Sequence, residues 1–431
     1  MLYFQVMSVR RYIAIWLSFL SFFAGAAPLP FNYGGQEISL GSSKSLAWDA
    51  KRSLILADFA QRISPEFHIP DRLKKRVSFW FDIYTAYSAN HYVIHHARYP
   101  WIVFEVIDTG PQIETGKGPL WLRKQRAQKF VNRRKAQIRQ VLKDLSRNPK
   151  RFRSPEHKRL FKLVQENAPG KSLKRKFRLA LHSVRAQLGQ KDFFHSGLEQ
   201  SSHYLPHMEE EFERLGLPKE LTRMPFVESS FNTKARSRVG ASGIWQIMPR
   251  TGKAYLTVNQ FIDERNNPIK ATTAAGRLLR NYQRALKSWP LTITSYNHGI
   301  GNIKKAIRAA RSEDLADIID RYHQGDFKFA SSNFYACFLA ALHAECYHEI
   351  LFDDIQRLPK KNFVVTQLKT RRKPTTLLKL YGISKEEFLK FNLDLAEAVK
   401  SNRTLPPGLK VFLPKRFDKS LAANQMKKVR L

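Results

Sequence analysis

Apolar positions recur at three- and four-residue steps through most of this chain, and strand-like runs are confined to its last part. Over residues 112–195, leucines, valines and phenylalanines keep that spacing among three basic clusters, RKQRAQKFVNRRKAQIR, PKRFRSPEHKRLFK and KSLKRKFRLALHSVR. The period predicts amphipathic helices with basic outer faces. Residues 206–341 read as one compact helical unit with no long alternating stretch. Its candidate helices are 212–217, closed before Pro218, then 221–231, 268–284, 303–310 and 331–346. The aromatic stretch 78–108 also reads as helical, with His91, His95 and His96 near helical spacing. No acid joins these histidines within the helix, so they are expected to be packed or surface residues rather than metal ligands. The pattern changes at FVVTQL, residues 363–368, which is strand-like. Leu377, Leu378 and Tyr381 follow, with Gly382 as a C-cap. Ser384 and Glu387 form a capping box, and Pro406, Pro407 and Gly408 turn the chain into a second strand, LKVFLP. The whole is therefore expected to be mainly α, ending in a small βααβ module.

Charge narrows the classes of partner. With 74 Lys and Arg against 36 Asp and Glu, the chain carries +38, which favours an anionic polymer. Nucleic acid and the bacterial envelope both qualify, but there is no C₂H₂ spacing, RNP pattern or clear helix-turn-helix. The N-terminus bears on the choice. Arg10 and Arg11 precede an uncharged run, 12–30, whose apolar core is short and ends in Ala24, Gly25 and Ala26. Small residues at that point suit a secretory signal over residues 1–26 better than an anchor, and Met7 offers an alternative start. No Cys lies there, so a lipid-anchored N-terminus is not expected. Export to the periplasm or cell envelope would put nucleic acid out of reach. Cys337 and Cys346 are the only cysteines; on one helix their separation turns through about 900°, so they face opposite ways and are expected to be buried and unpaired. No zinc spacing is present. No metal, no cofactor and no stable protein partner is expected.

Candidate chemistry concentrates at residues 227–252, VESSFNTKARSRVGASGIWQIMPRTG. Delivering a proton to a glycosidic oxygen requires an acid that keeps its proton at neutral pH. An unperturbed glutamate titrates near 4.3, and burial among apolar groups raises that value. Glu228 follows Met224, Pro225, Phe226 and Val227 and precedes Phe231, neighbours of the required kind. A surface carboxylate at a helix end is the plainer account of the same letters. Gly240 and Gly243 permit tight turning and close approach to a ligand. Trp245 would pack on a sugar or in the core. Ser237 and Gln246 are candidate polar contacts, and Met248 an adaptable apolar wall.

Four ordered stretches here resemble a known family. They are ESSFN and GASGIWQIMPRTG within 228–252, DERNNP at 263–268 and SYNHG at 295–299. Together they are similar to the soluble-lytic-transglycosylase-like, lysozyme-like family, in the group of the membrane-bound lytic murein transglycosylase D. The 363–414 segment is similar to a LysM module, with a weaker match: YGIS, EEFLKFN and the LPPGLKVFLP ending agree, whereas the usual G-D-T after the first strand appears as Leu368, Lys369 and Thr370. Beside the signal peptide at 1–26 and the basic helical region at 40–205 read from the residues, the resemblance implies a lysozyme-like catalytic domain at 206–350 and a LysM-like glycan-binding module at 361–416. It implies cleavage of peptidoglycan between N-acetylmuramic acid and N-acetylglucosamine, without water, to leave 1,6-anhydro ends. Glu228 would be the single catalytic acid, with Ser237, Gln246, Met248, Tyr296 and Asn297 contacting substrate. Peptidoglycan glycan strands would be the partner, assisted by electrostatic attraction to anionic envelope polymers.

Departures from the pattern are Ile244 and Ile247, a mild change, and His298 beside Asn297, which would narrow or charge the cleft. A further one is the absence of an acid at residues 329–335. Two other functions fit the residues. A lysozyme-like hydrolase would need a second carboxylate, for which Asp263 or Glu264 qualifies by position. A non-catalytic wall-binding protein would need none.

Overall fold

The computed structural model describes residues 47–416 and two short strands before them, β1 (Ser39–Leu40) and β2 (Lys44–Ser45). The expected signal segment at 1–26 lies outside the described residues. The architecture is mainly α, consistent with a lysozyme-like helical fold. The chain divides into two compact units, Met1–His195 with Ser288–Asp354, and Ser196–Lys287 with Ile355–Leu431. Among the described residues no helix is long and apolar enough to cross a membrane.

The first unit contains a departure from the helical expectation. Lys74–Thr85 is helical, but the chain then forms β3 (His91–His96) and β4 (Val103–Asp108), joined later by β5 (Val184–Leu188). These make an antiparallel sheet in the order β4-β3-β5. Tyr92, Val93 and Ile94, then Val103, Phe104 and Ile107, are β-branched or aromatic residues that suit a pleated, half-buried surface. The apparent helical spacing of the histidines was therefore coincidental. His95 and His96 are fully buried. Burial holds His95 well below the ordinary histidine range and pushes His96 down to about 3. Among the described residues no group of His, Cys, Asp and Glu is arranged to hold a metal ion.

The basic clusters do form helices, Leu120–Arg147, Pro155–Asn167 and Leu173–His182. Ala127, Val131, Ile138, Leu142 and Leu145 make the buried stripe of the first. Val131, Ile138, Leu142 and Leu145 share one core with Leu160, Val164 and Phe177, while Lys124, Arg126, Lys129 and Arg133 face solvent. Ser154 and Ser172 cap the second and third helices.

The Phe329–Cys346 helix is buried on nearly every side, as an all-apolar helix must be. Cys337 is buried on it and Cys346 only partly so, which corrects the expectation of two buried thiols; neither is in a disulfide. Near its start Asn333, fully buried, accepts from Arg76 Nη1 at 2.8 Å and Trp80 Nε1 at 3.0 Å, and donates to the Phe329 carbonyl at 2.7 Å. Arg76 is itself buried, which pushes its guanidinium down to about 10. Asn333 is thus the acceptor that makes a buried cation and a buried indole N–H tolerable. Asn333→Ala is expected to destabilise the protein by roughly 3 kcal/mol, read as a lower urea midpoint, with Asn333→Asp recovering much of the loss because the acceptor survives.

In the second unit Leu205–Arg214, Met224–Ser229, Pro249–Lys253 and Pro268–Leu286 are helical. The last part contains β6 (Phe363–Gln367) and β7 (Lys410–Pro414), paired antiparallel with Phe363 opposite Pro414. Between them lie Pro374–Tyr381 and Lys385–Leu389, plus a third helix, Ala396–Lys400, that the pattern of residues did not predict. Gly382 takes φ 56° at the first helix end, and Ser384 Oγ accepts from the Glu387 amide at 3.1 Å. Leu368, Leu377, Tyr381, Phe388, Leu395, Leu405 and Val411 form a core of their own.

Candidate active site

Glu228 stands one residue from the end of the Met224–Ser229 helix. The helix is shorter than expected because Ser230 and Phe231 both take left-handed conformations, φ 49° and 55°, which stop helical hydrogen bonding. Their amides turn back to the carbonyls of Phe226 and Pro225 at 3.3 and 3.2 Å. That hook seats Phe231 edge-on against Phe226, ring centroids 4.6 Å apart, and buries both rings. The Glu228 carboxyl is buried, and its Oε2 has no hydrogen-bond partner. Burial raises its pKa well above the ordinary glutamate value, with no cation to oppose the effect.

The glycine-rich loop is tied to this helix end. Ser229 Oγ donates to the Ile244 carbonyl at 2.8 Å. Ser237 Oγ accepts from the Ala241 amide at 2.9 Å, and the two backbones pair as well. Gly240 and Gly243 have φ of 91° and 75°. At Gly243 a Cβ would sit 1.9 Å from the Arg265 carbonyl oxygen, so glycine is required for space as well as for conformation. Gln246 is buried, with φ 46°, and its amide donates to the carbonyls of Gly243 at 2.8 Å and Ala235 at 3.1 Å. Trp245 packs in the core and not on the surface: it is fully buried, stacked on Phe212 at 5.7 Å, and donates to Thr272 Oγ1 at 2.9 Å. Met248 is 38% exposed.

Arg265 holds the loop from the other side. Its Nη1 donates to the carbonyls of Gly240 at 2.7 Å and Ile247 at 3.0 Å. Its Nε and Nη2 clasp the two oxygens of Asp263, both at 2.8 Å. Ser242 Oγ adds a 2.6 Å bond to Asn266 Oδ1. Ser229, Ser242, Arg265 and Asn266 were not singled out from the sequence. Ser229 and Arg265 shape the site through backbone carbonyls, which leave no residue-type signal at the acceptor, and Ser242 with Asn266 through a side-chain pair 24 positions apart.

Of the expected site residues, Glu228, Ser237, Gln246 and Met248 lie in this unit. Tyr296 and Asn297 lie in the other, on the Trp289–His298 helix, and both are half-buried. Asn297 Oδ1 accepts from Ser331 Oγ at 3.0 Å. The same hydroxyl lies 3.0 Å from His298 Nδ1. His298 is buried, meets the Phe327 ring edge-on at 5.3 Å, and is held below its ordinary pKa by burial. It is therefore neutral near pH 7 and packed, which answers the concern that it would place a charge there. The acid-free segment 329–335 supplies Ser331, which contacts both residues.

Residues 209–319 match the transglycosylase SLT domain family, a stretch that spans the Glu228, Asp263 and Tyr296 motifs. The chain is also 32% identical over 127 residues to the membrane-bound lytic murein transglycosylase D of Escherichia coli strain K12, covering 29% of this chain and 28% of that protein. It is 35% identical over 106 residues to a putative tributyltin chloride resistance protein of Alteromonas sp. strain M-1, covering 24% of this chain and 51% of that one. The similarity thus spans under a third of the length of the transglycosylase it matches.

Two outcomes follow from this geometry. Gly243→Ala is expected to destabilise the protein by at least about 3 kcal/mol, through steric overlap and the left-handed backbone, measured by chemical unfolding. For Glu228 the raised pKa means that the folded state holds a proton the unfolded chain has released above about pH 4.3. Stability from this group is complete below that pH and is lost as pH rises toward the folded value. Glu228→Gln is therefore expected to be more stable than wild type at pH 7. The gap should close as pH falls to about 4, at no more than about 1.4 kcal/mol per pH unit, in thermal melts run across pH.

Proposed function

We propose that this chain is a peptidoglycan lytic transglycosylase with Glu228 as its single catalytic acid and base. The observation that carries the reading is a buried carboxyl, without a cation beside it and with one oxygen unpartnered, inside a transglycosylase SLT domain. Such a group retains its proton near neutrality and delivers it to the glycosidic oxygen as the bond from the muramoyl C1 breaks. The carboxylate left behind is poorly solvated and strongly basic. It takes the proton of the muramoyl 6-hydroxyl while that oxygen bonds to C1. One bond is broken, one is formed, the proton returns to Glu228, and no water is consumed.

Hydrolysis would need a second carboxylate free to activate water or to attack C1. Asp263 has both oxygens on Arg265, and Glu264 accepts from the Thr257 amide at 2.7 Å and pairs with Lys270 at 3.0 Å. Both acids proposed for that role are committed elsewhere, which favours the water-free reaction. Met248 and the rim carried by Ser237 and Gln246 would contact the glycan. For Tyr296 and Asn297 the support is the SYNHG motif. The +38 charge would hold the enzyme near anionic wall and membrane polymers in the cell envelope, and the 361–416 module would bind glycan as LysM-like modules do.

Purified wall treated with the wild-type protein is expected to release muropeptides with 1,6-anhydro ends, identified by mass. Glu228→Gln is expected to lower that release at least about 100-fold. Reducing ends in the wild-type digest would convert the reading to a hydrolase. Undiminished digestion by Glu228→Gln would remove Glu228 from the chemistry.

A further inference from the structure

The C-terminal module is built into the unit that carries Glu228. Asp394, between its second and third helices, has a fully buried side chain. Its Oδ2 accepts from Lys270 Nζ at 2.6 Å across 124 positions of sequence, and its Oδ1 accepts from Asn267 Nδ2 at 3.3 Å. Its carbonyl accepts from the Asp263 amide at 2.9 Å. Asp394 therefore grips the 263–270 segment at three points. Apolar contact reinforces the grip: Ile262 is part of the module's own core, and Arg403 lies 5.0 Å over the Phe261 ring.

The gripped segment is the one that holds the site loop. Asp263 orients Arg265, which binds the carbonyls of Gly240 and Ile247, and Asn266 binds Ser242. The loop in turn reaches the helix end through the Ile244 carbonyl and Ser229, the neighbour of Glu228. We propose that Asp394 is a positioning residue for the Glu228 site, acting through segment 263–267 on the glycine-rich loop. The module thereby sets the geometry of the reaction in addition to any glycan it binds.

Physical arguments favour a tuned contact over an incidental one. A buried ion pair seldom stabilises a protein more than apolar residues of the same shape, so its value lies in specifying one arrangement. Here the ammonium is shared between two carboxylates, Asp394 and Glu264, and its site cannot be refilled by water without losing register. The loop it governs has no regular secondary structure beyond isolated bridges at Ser242, so its shape depends on these side-chain ties.

The inference rests on the reading of Glu228 given above, and the test keeps the two apart. Asp394→Asn preserves shape and leaves Lys270 its Glu264 partner. In the full chain it is expected to lower kcat on purified uncrosslinked glycan strands about tenfold, since small misplacements of reacting groups are costly, with KM within about twofold. Hydrogen exchange should quicken across 237–248 and stay at the wild-type rate in β6 and Pro374–Tyr381. Wild-type kcat with wild-type exchange in the loop overturns the proposal, as does a uniform rise across the chain, which signals general loosening. If Asp394→Asn does not fold, Ile262→Ala trims the same junction without touching a charge. It must give the same localised pattern, and wild-type behaviour there also overturns the proposal. Glu228→Gln serves as the separating arm: it should abolish turnover and leave loop exchange unchanged. Should Glu228→Gln turn over normally, the catalytic reading falls, and the exchange data on Asp394→Asn still decide whether the module controls the loop.

Discussion

The guanidinium of Arg265 is the tie on which the candidate site depends. A loop that turns through Gly240, Gly243 and a left-handed Gln246 cannot satisfy its own carbonyls with helix or sheet bonds. Buried carbonyls left unpaired would each cost about as much as a lost hydrogen bond. Arg265 supplies donors to two of them, and Asp263 neutralises it through a paired contact of fixed geometry. The planar fork matters: it orients the donors, which a lysine ammonium would not do. The close approach of the Arg265 carbonyl to Gly243 then leaves the loop a single path.

Two buried acids in this unit illustrate how surroundings assign a role. Asp394 faces an ammonium and an amide, and these counter the burial that raises its pKa. It is structural. Glu228 is also buried, on a helix whose Pro225 and Phe226 are buried too, and desolvation raises its pKa well above the ordinary value. Desolvation acts on both carboxyls, and only at Asp394 do an ammonium and an amide oppose it; under the proposed function, Glu228 is the proton carrier.

Legibility in the sequence followed the range of the interactions. The amphipathic basic helices, the β6 and β7 strands, the Gly382 cap and the Ser384 cap were readable because each depends on neighbours a few positions away. The 78–108 stretch was read correctly only over its helical first part, up to Thr85, and misread beyond it. Aromatic and β-branched residues with histidines interspersed satisfy a helical period as well as a strand period over so short a run, and pairing with β5, far along the chain, resolved the ambiguity. Trp245 was read as packing on a sugar or in the core; Phe212 and Thr272 made it core.

The residue order alone determined which groups can do chemistry: one glutamate amid apolar neighbours, two glycines that permit a sharp loop, and a strongly basic exterior. It determined the helical class by the same local rules. Tertiary structure decided what those groups became. It withdrew Asp263 and Glu264 into ion pairs, packed His298 against Ser331 and Phe327, and buried Glu228 with one oxygen unpartnered. Each of these outcomes turns on desolvation and on contacts between residues distant in sequence, and neither quantity exists until the chain has folded.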